Sequence, residues 1–447
     1  MDMRQDQRLG AERSGLSYRG ATLHMEDVGL DTIAAAVATP FYCYSGAAIR
    51  SAYERLSQAL VPVGASICFA VKANGNLAVL GLLAGMGSGM DVVSGGELER
   101  ALAAKVPGSR IVFSGVGKKR GEIVRALEAG IHQINVESAA ELDVVIAAAR
   151  ELGMRAPVAL RVNPDVDART HSKISTGRKD DKFGIPSADI PDLCPRAAAA
   201  PELDVVGLAV HIGSQILDLE PYREAYSHMA GLVAALRERG LPVRRLDLGG
   251  GLGLSYDGSA DPDVRDYAAI IGETLGDSGC ELTVEPGRWL VGQAGVLVTE
   301  VLYVKQAAGG PTVIVDAGMN DLMRPALYGA VHPVLPVRPN PETGAARTCR
   351  IVGPICESSD VFGSYGGMPP PNAGDLIAFI CAGAYGASMA STYNARDLVP
   401  EILVEGGRFR VVRRRQTTRD LLALEGHSQW QKPDTGLAAG VTGALER

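Results

Sequence analysis

One lysine leads the groups in this chain that could do chemistry. In Cys68-Phe69-Ala70-Val71-Lys72-Ala73-Asn74-Gly75-Asn76 an apolar, strand-forming run stops at Lys72 and gives way to small and turn-forming residues. That pattern puts the amine at the mouth of a sheet. A lysine desolvated there has a lowered pKa, and its neutral amine can attack an aldehyde. The same stretch also fits a strand-ending lysine whose head simply reaches water.

The other candidates stand in loops or at the ends of apolar runs. His211, in His211-Ile212-Gly213-Ser214-Gln215, is either a structural hydrogen-bonding group or a flat ring that packs on a heteroaromatic ligand. Gly249-Gly250-Gly251 offers backbone amides to a phosphate, or is only a flexible turn. In Glu285-Pro286-Gly287-Arg288 an anionic Glu285 can keep a pyridine nitrogen protonated; a surface Glu-Arg pair is the plain alternative. Arg324 and Tyr328, four apart, suit a carboxylate, or are solvated. Cys356 beside Glu357 in a polar loop places a thiol where a core cysteine would not sit, and so suits acid-base work. Gly383 to Asn394 is a small-residue loop presenting Tyr385 and Tyr393, and His171 to Gly184 is a lid or a long loop.

The elements that must position these groups are legible as alternation. Apolar runs at Ile67 to Val71, Gly89 to Val93, Arg110 to Phe113, Gln133 to Val136, Val158 to Val162, Val205 to His211, Arg245 to Leu248 and Glu281 to Val284 are separated by helix-length intervals. Eight such runs predict an α/β fold built on a (β/α)8 barrel. A doubly wound sheet would need its phosphate fingerprint after the first strand, whereas the glycine triplet follows the seventh run. Barrels of this kind often bind phosphate after strands seven and eight, where the triplet and the Glu285 tetrad fall.

Beyond about residue 296 strands and turns replace the alternation: Val296 to Val304, Thr312 to Asp316, Leu376 to Phe379 and Glu401 to Val412, with a Gly/Pro-rich connection at Tyr365 to Gly374. The expected organisation is an N-terminal segment (1–45), a barrel (46–295), a mainly β domain (296–428) completed by that segment, and a flexible tail (429–447).

With 447 residues, 46% hydrophobic and 21% charged, the chain can bury a large core. A net charge of -7 with scattered basic residues excludes a nucleic-acid surface. No apolar stretch approaches the roughly 20 residues that span a bilayer, and the polar start is unlike a signal peptide, so a cytoplasmic location is expected. The seven cysteines have no Cys-x-x-Cys pair, so neither a metal nor a disulfide framework is expected.

Phe69-Ala70-Val71-Lys72-Ala73-Asn74, His211 to Gln215, the Gly249 triplet, Glu285 to Arg288, Met323-Arg324-Pro325, Cys356-Glu357-Ser358 and the Tyr385 loop occur in one order between residues 18 and 425. Together they resemble the diaminopimelate decarboxylase family, of the alanine-racemase-like barrel class (fold type III) of pyridoxal-phosphate enzymes. The resemblance implies decarboxylation of meso-2,6-diaminopimelate at its D-centre to L-lysine. It implies that Lys72 holds the cofactor covalently, that His211 stacks on the ring and that Glu285 pairs with the ring nitrogen. Ser214, Gly249, Gly250, Gly251, Pro286, Gly287, Arg288 and Tyr385 would surround the phosphate. Arg288, Arg324, Tyr328, Tyr385 and Glu357 would grip the substrate, and Cys356 would be the proton donor. Cys356 and Glu357 would cross to a partner's site, implying a homodimer. The connection Ala395 to Pro400 only partly fits the family's proline- and arginine-rich pattern. A same-scaffold decarboxylase of arginine, ornithine, carboxynorspermidine or a carrier-bound amino acid is the alternative, followed by a racemase and a non-catalytic cofactor-binding homologue.

Overall fold

The structure, a computed structural model, describes residues 14–170, 176–178, 181–241, 243–307, 310–339, 347–368 and 370–425. The expected tail, the first thirteen residues, and residues 171–175, 179 and 180 of the expected lid lie outside the described residues.

The described residues open with a three-stranded antiparallel sheet, β1 (Leu16–Arg19), β2 (Thr22–Met25) and β3 (Val28–Gly29). Helix α1 (Leu30–Val37) and strand β4 (Phe41–Ser45) follow. Ser45 then caps α2 (Gly46–Leu60), its hydroxyl accepting from the Ala48 amide at 3.0 Å.

From there strand and helix alternate: β5 (Ser66–Ala70), α3 (Leu77–Gly85), β6 (Gly89–Val92), α4 (Gly95–Ala103), β7 (Ile111–Phe113), α5 (Arg120–Glu128), β8 (Gln133–Val136), α6 (Ala139–Leu152) and β9 (Ala156–Asn163). A short β10 (Ile185–Pro186) attaches outside the ring, beside β9. Then come α7 (Ile190–Ala198), β11 (Leu203–Val210), α8 (Glu220–Glu238), β12 (Arg245–Asp247), α9 (Val264–Leu275) and β13 (Glu281–Val284). The eight strands β5–β9 and β11–β13 pair in parallel and close, with β13 on β5 and β8 on β9. Side chains fill the barrel inside and helices cover it outside, so its strands read as apolar runs rather than as alternation. Phe69, Phe113, Leu160 and Leu208 have no exposed surface. One expected strand ends early: β5 stops at Ala70, and Val71–Ala73 form a 3₁₀ turn that carries Lys72.

After a one-turn helix α10 (Arg288–Val291) the chain enters the mainly β region. It comprises β14 (Gly295–Ala307), β15 (Gly310–Val315), helix α11 (Arg324–Tyr328), β16 (Val334–Pro336), β17 (Arg347–Val352), β18 (Val361–Met368), β19 (Leu376–Phe379), β20 (Glu401–Glu405) and β21 (Arg408–Arg413). The sheet runs β18-β17-β15-β14-β4-β20-β21, so β4 of the N-terminal segment sits inside it between β14 and β20, buried along its whole length. The run Glu401 to Val412 is a hairpin rather than one strand, because Gly406 turns it at φ +60°. The supposed connection from Tyr365 begins inside β18, whose partner β17 points Cys349 and Ile351 inward and Thr348 and Arg350 outward.

No helix of the described residues is long and apolar enough to cross a membrane. Among them no group of three or more His, Cys, Asp or Glu side chains is placed to hold a metal.

Candidate active site

The C-terminal ends of the barrel strands and two segments of the β region enclose one cavity, and the turn after β5 delivers Lys72 to it. Lys72 Nζ donates to Asp91 Oδ2 at 2.5 Å. Asp91 is level with Ala70 on the neighbouring strand and has no exposed surface. Burial by itself would lower the lysine pKa, but the opposing charges of Asp91 and Glu285 outweigh it and hold the amine above the usual lysine range. The expected neutral amine is therefore an ammonium in the ligand-free protein.

Two further buried acids stand across the barrel mouth. Asp247, the last residue of β12, accepts from Asn135 Nδ2 at 2.6 Å and from the Gly249 amide at 3.0 Å. It is also hydrogen-bonded to Glu285, which follows β13. Burial, then Asp247 and Asp91, push the Glu285 carboxyl well up; burial also raises Asp247 against its hydrogen bonds. The pair thus shares a proton, and Glu285 Oε1 is buried with no hydrogen-bond partner.

His211 Nδ1 accepts from the Gly250 amide at 3.0 Å, which places the ring proton on Nε2. Burial first, then Arg161 and Lys72, hold the ring neutral. The glycine triplet differs from a bare phosphate nest, because the Gly249 amide is used by Asp247 and the Gly250 amide by His211. Its glycines are required by close packing: a Cβ on Gly250 would lie 1.9 Å from the Glu285 carbonyl oxygen. Gly251, Ser214, Gly287 and Tyr385 line the cavity. Pro286 stands behind, its carbonyl accepting from the Ala70 amide at 3.1 Å and tying β13 to β5. Tyr385, at φ +55°, donates its amide to the Ala73 carbonyl at 2.8 Å, so the β region is fastened directly to the lysine turn.

Arg288 and Arg324 line the same cavity with Tyr328, and both arginines are buried. Arg288 donates to Tyr256 Oη at 2.9 Å and lies over the Tyr385 ring at 4.7 Å. Each arginine keeps a buried Nε with no hydrogen-bond partner. Two guanidiniums with spare donors in an enclosed site suit an anion. Cys356 and Glu357 do not join them. Both are exposed, neither lines the cavity, and they are held by the Cys356 amide donating to Asn394 Oδ1 (2.9 Å) and by Tyr393 Oη donating to Glu357 Oε1 (2.7 Å).

These residues fit pyridoxal phosphate. A primary amine, an unpartnered acid oxygen for a ring nitrogen and a small-residue wall share one cavity. Reading the sequence missed Asp91, Asn135, Asp247, Tyr256 and His332. For Asp91 and Asp247 a signal existed, since an acid within or ending an apolar barrel strand must face a partner. The other three carry none.

A family model described as "Pyridoxal-dependent decarboxylase, pyridoxal binding domain" matches residues 46–292. A diaminopimelate decarboxylase of Pseudomonas fluorescens is 49% identical over 410 residues, covering 92% of this chain and 98% of that protein. The crystal structure of the Helicobacter pylori diaminopimelate decarboxylase complexed with L-lysine superposes with TM-score 0.85 at 42% identity, over 88% of this chain and 98% of that one. The M. jannaschii diaminopimelate decarboxylase in co-complex with L-lysine gives 0.87 at 36%, over 92% and 97%.

Proposed function

The chain belongs to the diaminopimelate decarboxylase family of pyridoxal-dependent decarboxylases, and from that premise we propose that it releases the D-centre carboxylate of meso-2,6-diaminopimelate as carbon dioxide and leaves L-lysine. The observation that carries this reading is the pair of buried guanidiniums, Arg288 and Arg324, that line the cavity of Lys72. A substrate with a carboxylate at each end needs an anion grip for the end it keeps. Ornithine presents an ammonium there, which two guanidiniums repel.

Bound pyridoxal phosphate supplies an aldehyde that condenses with a primary amine, and a ring that takes up the electron pair left by departing carbon dioxide. Lys72 would hold the cofactor through its aldehyde, and Asp91 would keep the amine in place whenever it is free. Ser214, Gly251, Gly287, Arg288 and Tyr385 surround the phosphate. Glu285, whose carboxyl lines the cavity, would pair with the ring nitrogen and keep it protonated. Neutral His211 would stack on the ring without adding a charge. Arg288, Arg324 and Tyr328 hold the retained carboxylate.

Cys356 returns a proton to the carbon that lost its carboxylate, and Glu357 takes the distal ammonium. Because they stand outside their own chain's cavity, we assign them to the site of a second copy, and the working form to a homodimer in the cytoplasm. The division into a barrel at 46–295 and a β domain at 296–428 follows the same reading.

The test is carbon dioxide release by the purified protein with pyridoxal phosphate, comparing meso-diaminopimelate with L-arginine, L-ornithine and L-lysine. Release from meso-diaminopimelate alone, with L-lysine formed, is expected; release only from another amino acid overturns the reading of the arginines.

A further inference from the structure

Arg324 is held from behind by a residue that no catalytic step uses. Its Nη1 meets His332 Nε2 at 2.8 Å, and His332 Nδ1 meets the Ile380 carbonyl oxygen at 3.1 Å. A carbonyl can only accept, so Nδ1 carries the ring proton and Nε2 keeps a lone pair for the arginine. His332 has no exposed surface, and burial together with Arg324 drives its pKa down to about 3, so it stays neutral wherever an enzyme works.

Tyr256 supplies the second support. Arg324 lies over its ring at 4.7 Å, its hydroxyl accepts from Arg288 Nη1 at 2.9 Å, and the His332 ring stands edge-on to it at 5.3 Å. A chain of contacts therefore runs from Ile380 through His332, Arg324 and Tyr256 to Arg288. Two like charges enclosed together repel, and burial adds to the cost. A carboxylate behind them would offset that cost and cancel the field meant for the ligand. A neutral lone pair and an aromatic face hold both cations while leaving the net positive charge unspent. Both arginines line the cavity, where an anion would meet them.

We propose that His332 and Tyr256 are positioning residues that aim Arg324 and Arg288 at the retained carboxylate, and so set the enzyme's preference for substrates that have one. This rests on the role given to the arginines above. The test uses the holoenzyme and its His332→Leu, His332→Gln, Tyr256→Phe and Arg324→Gln variants. KM and kcat for meso-diaminopimelate are measured, with inhibition by L-lysine, which has the retained carboxylate, and by cadaverine, which lacks it.

His332→Leu should raise KM and the L-lysine inhibition constant by about tenfold or more. It should leave kcat within about threefold, and cadaverine inhibition and cofactor absorbance unchanged. Gln, whose amide oxygen can replace Nε2, should recover most of the loss. Equal weakening of both inhibitors, or no rescue by Gln, overturns the inference. If Arg324→Gln does not weaken L-lysine selectively, the role given to the arginines fails instead. Should His332→Leu not fold, Tyr256→Phe, which keeps the ring and loses the hydroxyl that supports both arginines, decides by the same inhibitor ratio.

Discussion

Lys72 Nζ lies 2.5 Å from Oδ2 of Asp91, a carboxylate without exposed surface whose other oxygen has no hydrogen-bond partner. The pair fixes both the position of the amine and its charge. With its opposing charges outweighing burial, Lys72 stays protonated to higher pH than an ordinary lysine, and cofactor uptake must wait for that proton to leave.

Asp91→Asn removes one of those charges, so the lysine pKa falls and uptake of pyridoxal phosphate moves to lower pH by about one unit or more. The visible absorbance of the bound cofactor, followed against pH, measures this. An unshifted profile would give the control of the amine to Glu285 alone.

Gly250→Ala sets a Cβ 1.9 Å from the Glu285 carbonyl oxygen, so the ends of β12 and β13 must part, shifting Glu285 and disturbing the Gly250 amide's hydrogen bond to His211. We expect a destabilisation of about 2–4 kcal/mol and loss of cofactor binding. Gly276→Ala is the control: its φ of -56° is helical and a Cβ there meets nothing within 4 Å, so its unfolding midpoint should match the parent's. Equal behaviour of the two variants would remove the packing argument.

Asp321 is buried, and burial lifts its carboxyl to about 7. A carboxyl raised above its unfolded value favours the fold when protonated, so its contribution is present at acid pH and is lost as pH rises from about 4 to 7. The stability difference between parent and Asp321→Asn should fall across that window, by up to about 1.4 kcal/mol per pH unit. Thermal unfolding at several pH values checks it; a difference that grows with pH has the wrong sign for a buried, raised acid.

Cys356 and Glu357 supply the test of a shared site. Lys72→Ala and Cys356→Ala should each be inactive alone. Mixed and allowed to exchange subunits, half of the dimers become hybrids with one intact site of two, restoring about a quarter of parental activity. No recovery after proven exchange would place the thiol in its own chain's site or outside the reaction.

The barrel was legible because each of its strands is buried on both faces and so keeps an apolar run that survives reading one residue at a time. Lys72, His211, Glu285 and Arg288 were legible for a related reason: each follows such a run at the barrel mouth, and the short motif around it carries the resemblance. Strands β17 and β18 were not, because alternate residues of β17 face solvent and glycines interrupt β18.

What the chain could not declare is which distant groups meet. Asp91, Asp247, Tyr256 and His332 look like ordinary polar residues until folding brings them to Lys72, Glu285, Arg288 and Arg324. The charge on Lys72 shows why this matters. Burial, which a sequence can suggest, has one sign; Asp91 and Glu285, which come from other strands, have the other and win. Local pattern decides what is buried, and so the barrel and the groups at its mouth can be read from the residues alone. Their protonation and their aim arise only on folding, because electrostatic energy depends on distances that chain separation does not encode.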